Sequence, residues 1–387
     1  MKLAVVGLGY CGGQIADEFA RIQMRARGLR GIDIVSEVLA VNTAMADLAA
    51  LTSIKSDSSH RLLIGSEQTR GHGTDRDSEL GMEIMQAEAR RLLDVLKSNS
   101  RVKEADAVLV AASAAGGTSS GGLAVLVRAI KERIVDKPIY AMLVLPFENE
   151  ENNEFSAVFN TSACLQSIGP VADAVILVDN QRFVSTEEPL HLTLQRINRA
   201  AVLPFYNLLS CGEDHKARSQ QPLKTADVIF ALDGWSVVGY GESTMPVITA
   251  KSQQGVFLHR DLYADQGMHA MNAALNGLTF PCKPQSARKA LSLLTASGKE
   301  LGAGLTRALN EYMIHIAPNA QLRHGDYSRD KILEVSVILS HFGYDERLNH
   351  FNAKAIQLLE EHETRQTLKP DIAMLTEEFG KNIPTLL

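Results

Sequence analysis

The run Ser113-Ala114-Ala115-Gly116-Gly117-Thr118-Ser119-Ser120-Gly121-Gly122 stands between the apolar strand-like stretch AVLVAA and the helix-like stretch LAVLVRAI. A strand that breaks into Gly, Ser, Ala and Thr and then resumes as a helix is a βα unit with its turn left open for a ligand. Successive amides without bulky side chains curl into an anion-holding nest. The helix N-terminus adds the positive end of its dipole, and three hydroxyls are available to phosphate oxygens. This cluster reads as a polyphosphate cradle. No GxxxxGK[ST] occurs, so a P-loop kinase or ATPase is not supported.

A second glycine turn opens the chain. Leu3 to Val6 form an apolar run, Gly7-Leu8-Gly9-Tyr10-Cys11-Gly12 follow, and Ile15, Phe19 and Ile22 then recur on one helical face. The pattern GxGxxG invites a dinucleotide reading, but any tight strand-to-helix turn needs glycine. The companion acid that would accept ribose hydroxyls is missing, because the next strand, EVLAV, ends in Asn42-Thr43. An NAD-dependent oxidoreductase is thereby weakened without being excluded.

Through about residue 180, short apolar runs alternate with longer amphipathic ones. The expected strands are Leu3 to Val6, Val38 to Val41, Ala107 to Ala111, Ile139 to Leu145 and Ala174 to Val178; the expected helices are Gly13 to Arg27, Ser78 to Lys97, Gly121 to Arg133 and Glu154 to Ile168. Crossovers of this length predict a doubly wound parallel sheet with ligands at the carboxyl ends of its strands. Next, Ser185 and Thr186 offer N-caps, Glu187 and Glu188 suit the positive helix end, and Leu190, Leu194, Ile197, Ala201, Phe205 and Leu208 mark one long helix, with Pro204 placed to kink its last turns. Beyond it the chain mixes strand-like runs (Ser236 to Gly239, Leu333 to Leu339) with helices (Glu300 to Met313, Arg347 to Glu361), and Thr225 is expected to cap a helix in RSQQPLKTADVIFAL. The predicted organisation is a nucleotide domain at 1–184, a connecting helix at 185–210 and an α+β domain at 211–387.

Charge and cysteine content narrow the function classes. Lys and Arg total 39 against 45 Asp and Glu, a net charge of −6 without any long block of one sign, which disfavours nucleic acid as a partner. The four cysteines (Cys11, Cys164, Cys211, Cys282) show no CxxC pairing, so no zinc site is expected and a reducing cytoplasm is. The N-terminal apolar run is too short for a signal segment, and no run of about 18 apolar residues marks a membrane span.

Taken together, the segments resemble the tubulin and FtsZ superfamily, most closely its archaeal CetZ branch. AGGTSSG (Ala115 to Gly121) stands where that family has GGGTGSG, and Tyr10-Cys11-Gly12-Gly13-Gln14-Ile15 is similar to the tubulin run QCGNQI. VNTAMADL (Val41 to Leu48) is similar to the second nucleotide loop, RGHGTDRDSELG (Arg70 to Gly81) to the third, VLPFENEENNE (Val144 to Glu154) to the ribose loop, and VDNQRF (Val178 to Phe183) to the guanine-reading segment. GLTFPC (Gly277 to Cys282) and RHGDYSRD (Arg323 to Asp330) extend the likeness into the second domain.

The resemblance implies a GTPase that polymerises head to tail into cytoskeletal filaments, with a role in cell shape or envelope organisation. GTP or GDP would be held by Tyr10, Cys11, Gly12, Gly13, Gln14, Asn42, Gly116, Gly117, Thr118, Ser119 and Ser120, with Tyr10 to Gln14 and Gly117 to Ser119 around the phosphates and Mg²⁺ carried on those phosphates. Glu150 is the candidate for the ribose, with Glu151 and Asn153 as alternatives, while Asn180 and Asn198 bracket the guanine. LKTADV (Leu223 to Val228) matches the loop that completes the neighbour's site, which makes Asp227 the catalytic acid; a first-turn acid that favours the helix dipole is a compatible second role. Peripheral membrane association through other partners is compatible with this reading.

Lys224 stands where the family usually has a second acid, Tyr10 where it has Gln, and Ser119 and Ala115 where it has glycine. A lysine pairs with phosphate but does not polarise water, so a hydrolysis-deficient guanine-nucleotide-binding structural protein is the alternative reading. The C-terminal EEFGKNIPTLL reads as a partner-binding tail or a frayed end.

Overall fold

Leu3, Val5 and their neighbours alternate between two separate apolar layers, and that alternation organises the whole chain. In the computed structural model, which describes residues 1–134, 136–184, 189–211, 213, 219, 221–243, 256–297, 303–329, 333–343 and 345–367, the first half runs β1 (Leu3–Leu8), α1 (Gly9–Arg30), β2 (Val35–Asn42), α2 (Met45–Ala49), β3 (Arg61–Leu63), α3 (Ser66–Thr69), α4 (Ser78–Ser98), α5 (Ser100–Glu104), β4 (Ala107–Ser113), α6 (Gly117–Arg133), β5 (Ile139–Leu145), α7 (Glu148–Asn153), α8 (Phe155–Ile168) and β6 (Ala174–Asp179). A 3-10 turn at Asn180–Phe183 leads to α9 (Leu190–Ser210), α10 (Thr225–Ala231), β7 (Gly234–Glu242), α11 (Val256–Asn276), β8 (Lys289–Ala296), α12 (Ala303–Ile316), β9 (Gln321–Ser328), β10 (Glu334–Ser340) and α13 (Glu346–Thr367).

The strands form one sheet of order β3-β2-β1-β4-β5-β6-β7-β10-β8-β9. Pairing is parallel from β3 through β7, β10 is antiparallel to both β7 and β8, and β9 is parallel to β8. The doubly wound parallel sheet with an attached α+β part is thus present, and the register Ala174↔Gly234 to Ile176↔Ser236 makes the two parts a single sheet. One apolar layer joins Ala4, Val6 and Leu8 to α4, α6, α8, α11, α12 and α13. The other joins Leu3 and Val5 to α1, α9 and α10. Burial of each large apolar side chain contributes about 1.5–3 kcal/mol, so both faces must be covered for the sheet to persist.

Helix α9, about 32 Å long at 1.5 Å per residue, buries Ile197, Ala201, Phe205 and Leu208 as the spacing predicts. It runs through Pro204 without interruption. It packs on α1, β7 and β10, and so bridges both parts of the sheet. The expected caps Ser185 and Thr186, the acids Glu187 and Glu188, and the C-terminal run at 377–387 lie outside the described residues.

Three expected boundaries are corrected. Helix α1 begins at Gly9 instead of Gly13, and α6 at Gly117 instead of Gly121, because the small residues ahead of each apolar stripe are already helical. Thr225 is the first residue of α10 and not its cap. That end is closed by Asp227, whose Oδ2 accepts the Lys224 amide at 3.0 Å.

Candidate functional site

Sheet order reverses between β1 and β4, which creates a crevice at the carboxyl ends of the parallel strands. The registers Leu8↔Val41, Leu8↔Ala112, Ser113↔Val144 and Leu145↔Asp179 bring the ends of β1, β2, β4, β5 and β6 to one edge. Both glycine turns open onto this edge. Gly9, at φ 72°, occupies the left-handed region that favours glycine, and a Cβ there would lie 3.3 Å from the Ser119 Cβ. The first turns of α1 and α6 therefore touch.

Both helix starts are left open for an anion. Neither α1 nor α6 has a side-chain cap or an acid in its first turn, whereas α4 and α5 are capped by Asp77 and Asn99. The leading amides of a helix have no carbonyl partner within it, so two sets of N–H donors and two positive dipole ends meet at the crevice. The Ser120 hydroxyl is buried with no hydrogen-bond partner among the described residues. Such an arrangement fits a phosphate chain.

Close helix packing holds the cradle. A Cβ at Gly121 would come 1.9 Å from the Ser78 carbonyl oxygen, and one at Gly81 would come 2.3 Å from that of Gly117. Helices α4 and α6 thus cross backbone to backbone, which anchors the third loop beside the cradle. In that loop Arg70, Asp75 and Arg76 all have positive φ. The strain is held by specific bonds: Thr118 Oγ1 lies 2.7 Å from Thr43 Oγ1 and 3.3 Å from Thr74 Oγ1, and Asn160 Nδ2 donates to the Arg76 and Ala115 carbonyls at 2.8 and 3.1 Å. One buried threonine and one buried asparagine thereby join the second loop, the third loop and the glycine cluster.

The remaining expected residues are placed as follows. Tyr10 is exposed at the mouth; Cys11 is half-buried, and burial, with the Glu150 carboxylate nearby, pushes its thiol up to about 12. Gly12 and Gly13 are buried in α1 with Gln14 half-buried beside them. The Asn42 amide serves its own loop, since Oδ1 accepts the Thr43 and Ala44 amides at 2.8 and 3.2 Å and Nδ2 donates to Asp47 at 2.9 Å. Ser119 Oγ donates to the Ser113 carbonyl at 2.7 Å and thus closes the turn, while the Gly116, Gly117 and Ser119 backbones stay in the cradle.

Glu150 bonds Arg76 Nη2 at 2.8 Å and accepts the Phe147 amide at 3.0 Å. Glu151 faces the other way. It is buried against Arg347 of α13, which also holds Asp179 at 3.2 Å. Asn153 is exposed and bonded to Asn149. Of the three ribose candidates, only Glu150 therefore bonds the third loop. Asn180 is buried at the end of β6, and α9, which carries Asn198, packs on the turn Asn180–Phe183.

Asp227 is not at this edge. The pairing Ala174↔Gly234 puts the start of β7 beside the start of β6, and α10 ends just before Gly234. Asp227 thus lies at the amino ends of the parallel strands, the end opposite the glycine turns. There it pairs with Arg323 Nε at 3.4 Å. Sequence reasoning did not single out Thr43, Thr74, Arg76 or Asn160. The signal for Asn160 was a polar residue set among the buried positions Ala157, Val158 and Leu165 of α8.

Comparison with known families shows residues 2–187 matching the Tubulin/FtsZ family, GTPase domain, and residues 187–357 matching the tubulin-like CetZ, C-terminal domain. The chain is 30% identical over 344 residues to the tubulin-like protein CetZ1 of Haloferax volcanii, covering 84% of each chain. It is 26% identical over 347 residues to the tubulin-like protein CetZ of Pyrococcus abyssi, covering 88% of this chain and 85% of that one. Among solved structures it is similar to the GDP-bound monomer of CetZ1 from Haloferax volcanii, with a TM-score of 0.78 and 27% identity, covering 93% of this chain and all of the other. It is likewise similar to the GTPγS-bound protofilament of CetZ2 from the same organism, with a TM-score of 0.79 and 26% identity over 94% of this chain.

Proposed function

The chain belongs to the tubulin/FtsZ family, in its tubulin-like CetZ branch, and from that premise we propose that it is a GTP-binding cytoskeletal protein that assembles head to tail and hydrolyses GTP at the contact between subunits. The triphosphate lies across the first turns of α1 and α6, Glu150 takes the ribose hydroxyls, and Asn180 and Asn198 bracket the guanine. Mg²⁺ would be held by the nucleotide's phosphates and would offset their charge; among the described residues no three acidic, histidine or cysteine side chains converge on a metal, and phosphates with water are its common ligands.

One observation carries the reading: the two glycine turns and Asp227 sit at opposite ends of one sheet. A single subunit therefore holds half of a site at each end. Stacking one subunit on the next brings the two halves together, and because the contact is heterologous it propagates as a filament. In the completed site Asp227 orients the attacking water. The GDP-bound monomer and the GTPγS-bound protofilament of the CetZ relatives support guanine-nucleotide binding and assembly. We retain the division into 1–184, 185–210 and 211–387, a cytoplasmic location consistent with four free cysteines, and a role in cell shape or envelope organisation. Among the described residues no helix is long and apolar enough to cross a membrane.

The test is GTP turnover per subunit across protein concentration. We expect a sharp rise at the assembly threshold, and Asp227→Ala should slow turnover by about 100-fold or more while leaving GTP affinity intact. Turnover per subunit that is flat with concentration, or filaments that form equally well without nucleotide, would overturn the proposal. Lys224, exposed beside Asp227 where a second acid is usual, favours one alternative, a polymer that binds GTP without turning it over. Absence of phosphate release above the threshold would identify it.

A further inference from the structure

The end of the molecule that carries Asp227 also carries Arg323, Lys289 and Lys224. The registers Ser236↔Ser340, Ser340↔Lys289 and Lys289↔Gln321 bring the start of β9 to the same end as α10. Arg323, the third residue of β9, bonds Asp227 through Nε at 3.4 Å and its own neighbour's carbonyl, that of Leu322, through Nη1 at 3.1 Å. Its guanidinium lies 4.2 Å from the centre of the Phe230 ring, and Lys289 Nζ lies 4.7 Å from that centre. Lys289 is neutralised by Asp233 at 2.7 Å. Lys224 is exposed one turn from Asp227.

These facts distinguish Arg323 from a structural cation. Its side chain is 44% exposed, and an exposed ion pair is worth only about 0–1 kcal/mol, so exchange of one anion for another costs little. The Phe230 face meanwhile braces the guanidinium. A planar, permanently charged fork held on an aromatic face beside the acid that is read as catalytic matches what phosphoryl transfer needs from a neighbouring subunit.

We propose that Arg323 is a second catalytic group supplied in trans: on assembly its guanidinium exchanges Asp227 for the terminal phosphate of the neighbour's nucleotide. This rests on the head-to-tail reading above. The exchange frees the Asp227 carboxylate for water. The water oxygen bonds to the γ-phosphorus, the bond from that phosphorus to the β–γ bridging oxygen breaks, and GDP leaves with the electron pair. The proton from water passes by way of Asp227 to the released phosphate. Arg323 stabilises the charge that builds on the equatorial and bridging oxygens during this step.

The experiment measures phosphate release per polymerised subunit, with polymer mass determined by sedimentation, for the full chain and for Arg323→Ala, Arg323→Lys and Asp227→Ala. Arg323→Ala should lose about 100-fold or more, Arg323→Lys should recover only part of that loss, and GTP affinity of the unassembled subunit should stay within twofold of the parent. Arg323→Ala mixed in equal amount with the parent chain should halve turnover in the shared polymer. If Arg323→Ala turns over within threefold of the parent while Asp227→Ala is slow, Arg323 is not catalytic and the head-to-tail reading survives. If both variants turn over normally in the polymer, the reading itself fails and the proposal fails with it.

Discussion

Arg347 shows how single residues outside the cradle set its shape. Its guanidinium is 18% exposed and grips Glu151 and Asp179, which are 2% and 5% exposed, while stacking 4.8 Å over the ring of Phe351. Glu151 adjoins Glu150, and Asp179 adjoins Asn180, so a residue from α13 fixes the backbone that carries the proposed ribose and guanine contacts. Removing one partner from a buried pair leaves an uncompensated charge, worth about 3–5 kcal/mol. Arg347→Ala should lower stability by that amount in urea titrations and weaken GTP binding. An unchanged urea midpoint would show that the pair contributes nothing. Sequence reasoning placed Glu150 and Glu151 together as ribose candidates because both lie in one acidic run. Only packing separates them, since adjacent positions of α7 face different neighbours. Asn42 was open for a similar reason, as a polar residue at a strand end serves equally as ligand contact or as turn former, and here its amide bonds Thr43, Ala44 and Asp47.

At the scale of elements, periodicity served best where one face is buried and the other wet. Helix α4 and the buried half of α9 were legible for that reason. The starts of α1 and α6 were not, because glycine and serine leave no stripe to count. Strand β9 was missed because it lies at the sheet's edge and reads QLRHGDYS, with its first four residues largely exposed. Helix α11 was missed because Ala, Met, Asn and Gly give it little contrast between faces. The pairing of β7 with β10 contains a feature no pattern reveals. The Tyr240 hydroxyl stands between the carboxylates of Glu242 and Glu334, and its one proton serves only one of them at a time. Burial pushes the Glu334 carboxyl up, against the opposing pull of the Tyr240 and Arg329 bonds. A carboxyl raised in the folded state holds its proton more tightly there, so its stabilisation is complete below the ordinary glutamate range and is lost as pH rises through the folded value. Glu334→Gln should therefore flatten the decline of the urea midpoint over that window. An identical slope in parent and variant would rule Glu334 out as its source.

For the whole molecule, fold class and family were legible because each nucleotide loop follows a strand in a fixed order, and the order survives changes inside the loops. What was not legible is that β6 and β7 pair and make the two parts one sheet, since three residues of register leave no trace in the sequence. That pairing gives the molecule unlike ends. Glu148, Glu150, Glu154, Asp75 and Asp77 stand around the cradle, where Arg76 pairs with two of them and a triphosphate adds negative charge, while at the other end Arg323 and Lys289 pair with Asp227 and Asp233 and Lys224 is exposed. Contacts between such surfaces are screened by salt, over about 8 Å at 0.15 M ionic strength. The assembly threshold should therefore rise with potassium chloride concentration, measured by sedimentation at fixed GTP; a threshold indifferent to salt would show that apolar contacts dominate. The opposed placement of cradle and Asp227 has a further consequence, which is arithmetical. On the head-to-tail reading every filament has one fewer completed site than it has subunits, because the last nucleotide at one tip meets no neighbour. A dimer then works at half capacity per subunit and a long filament at nearly full capacity, and the uncovered tip keeps its triphosphate however old the rest of the polymer becomes.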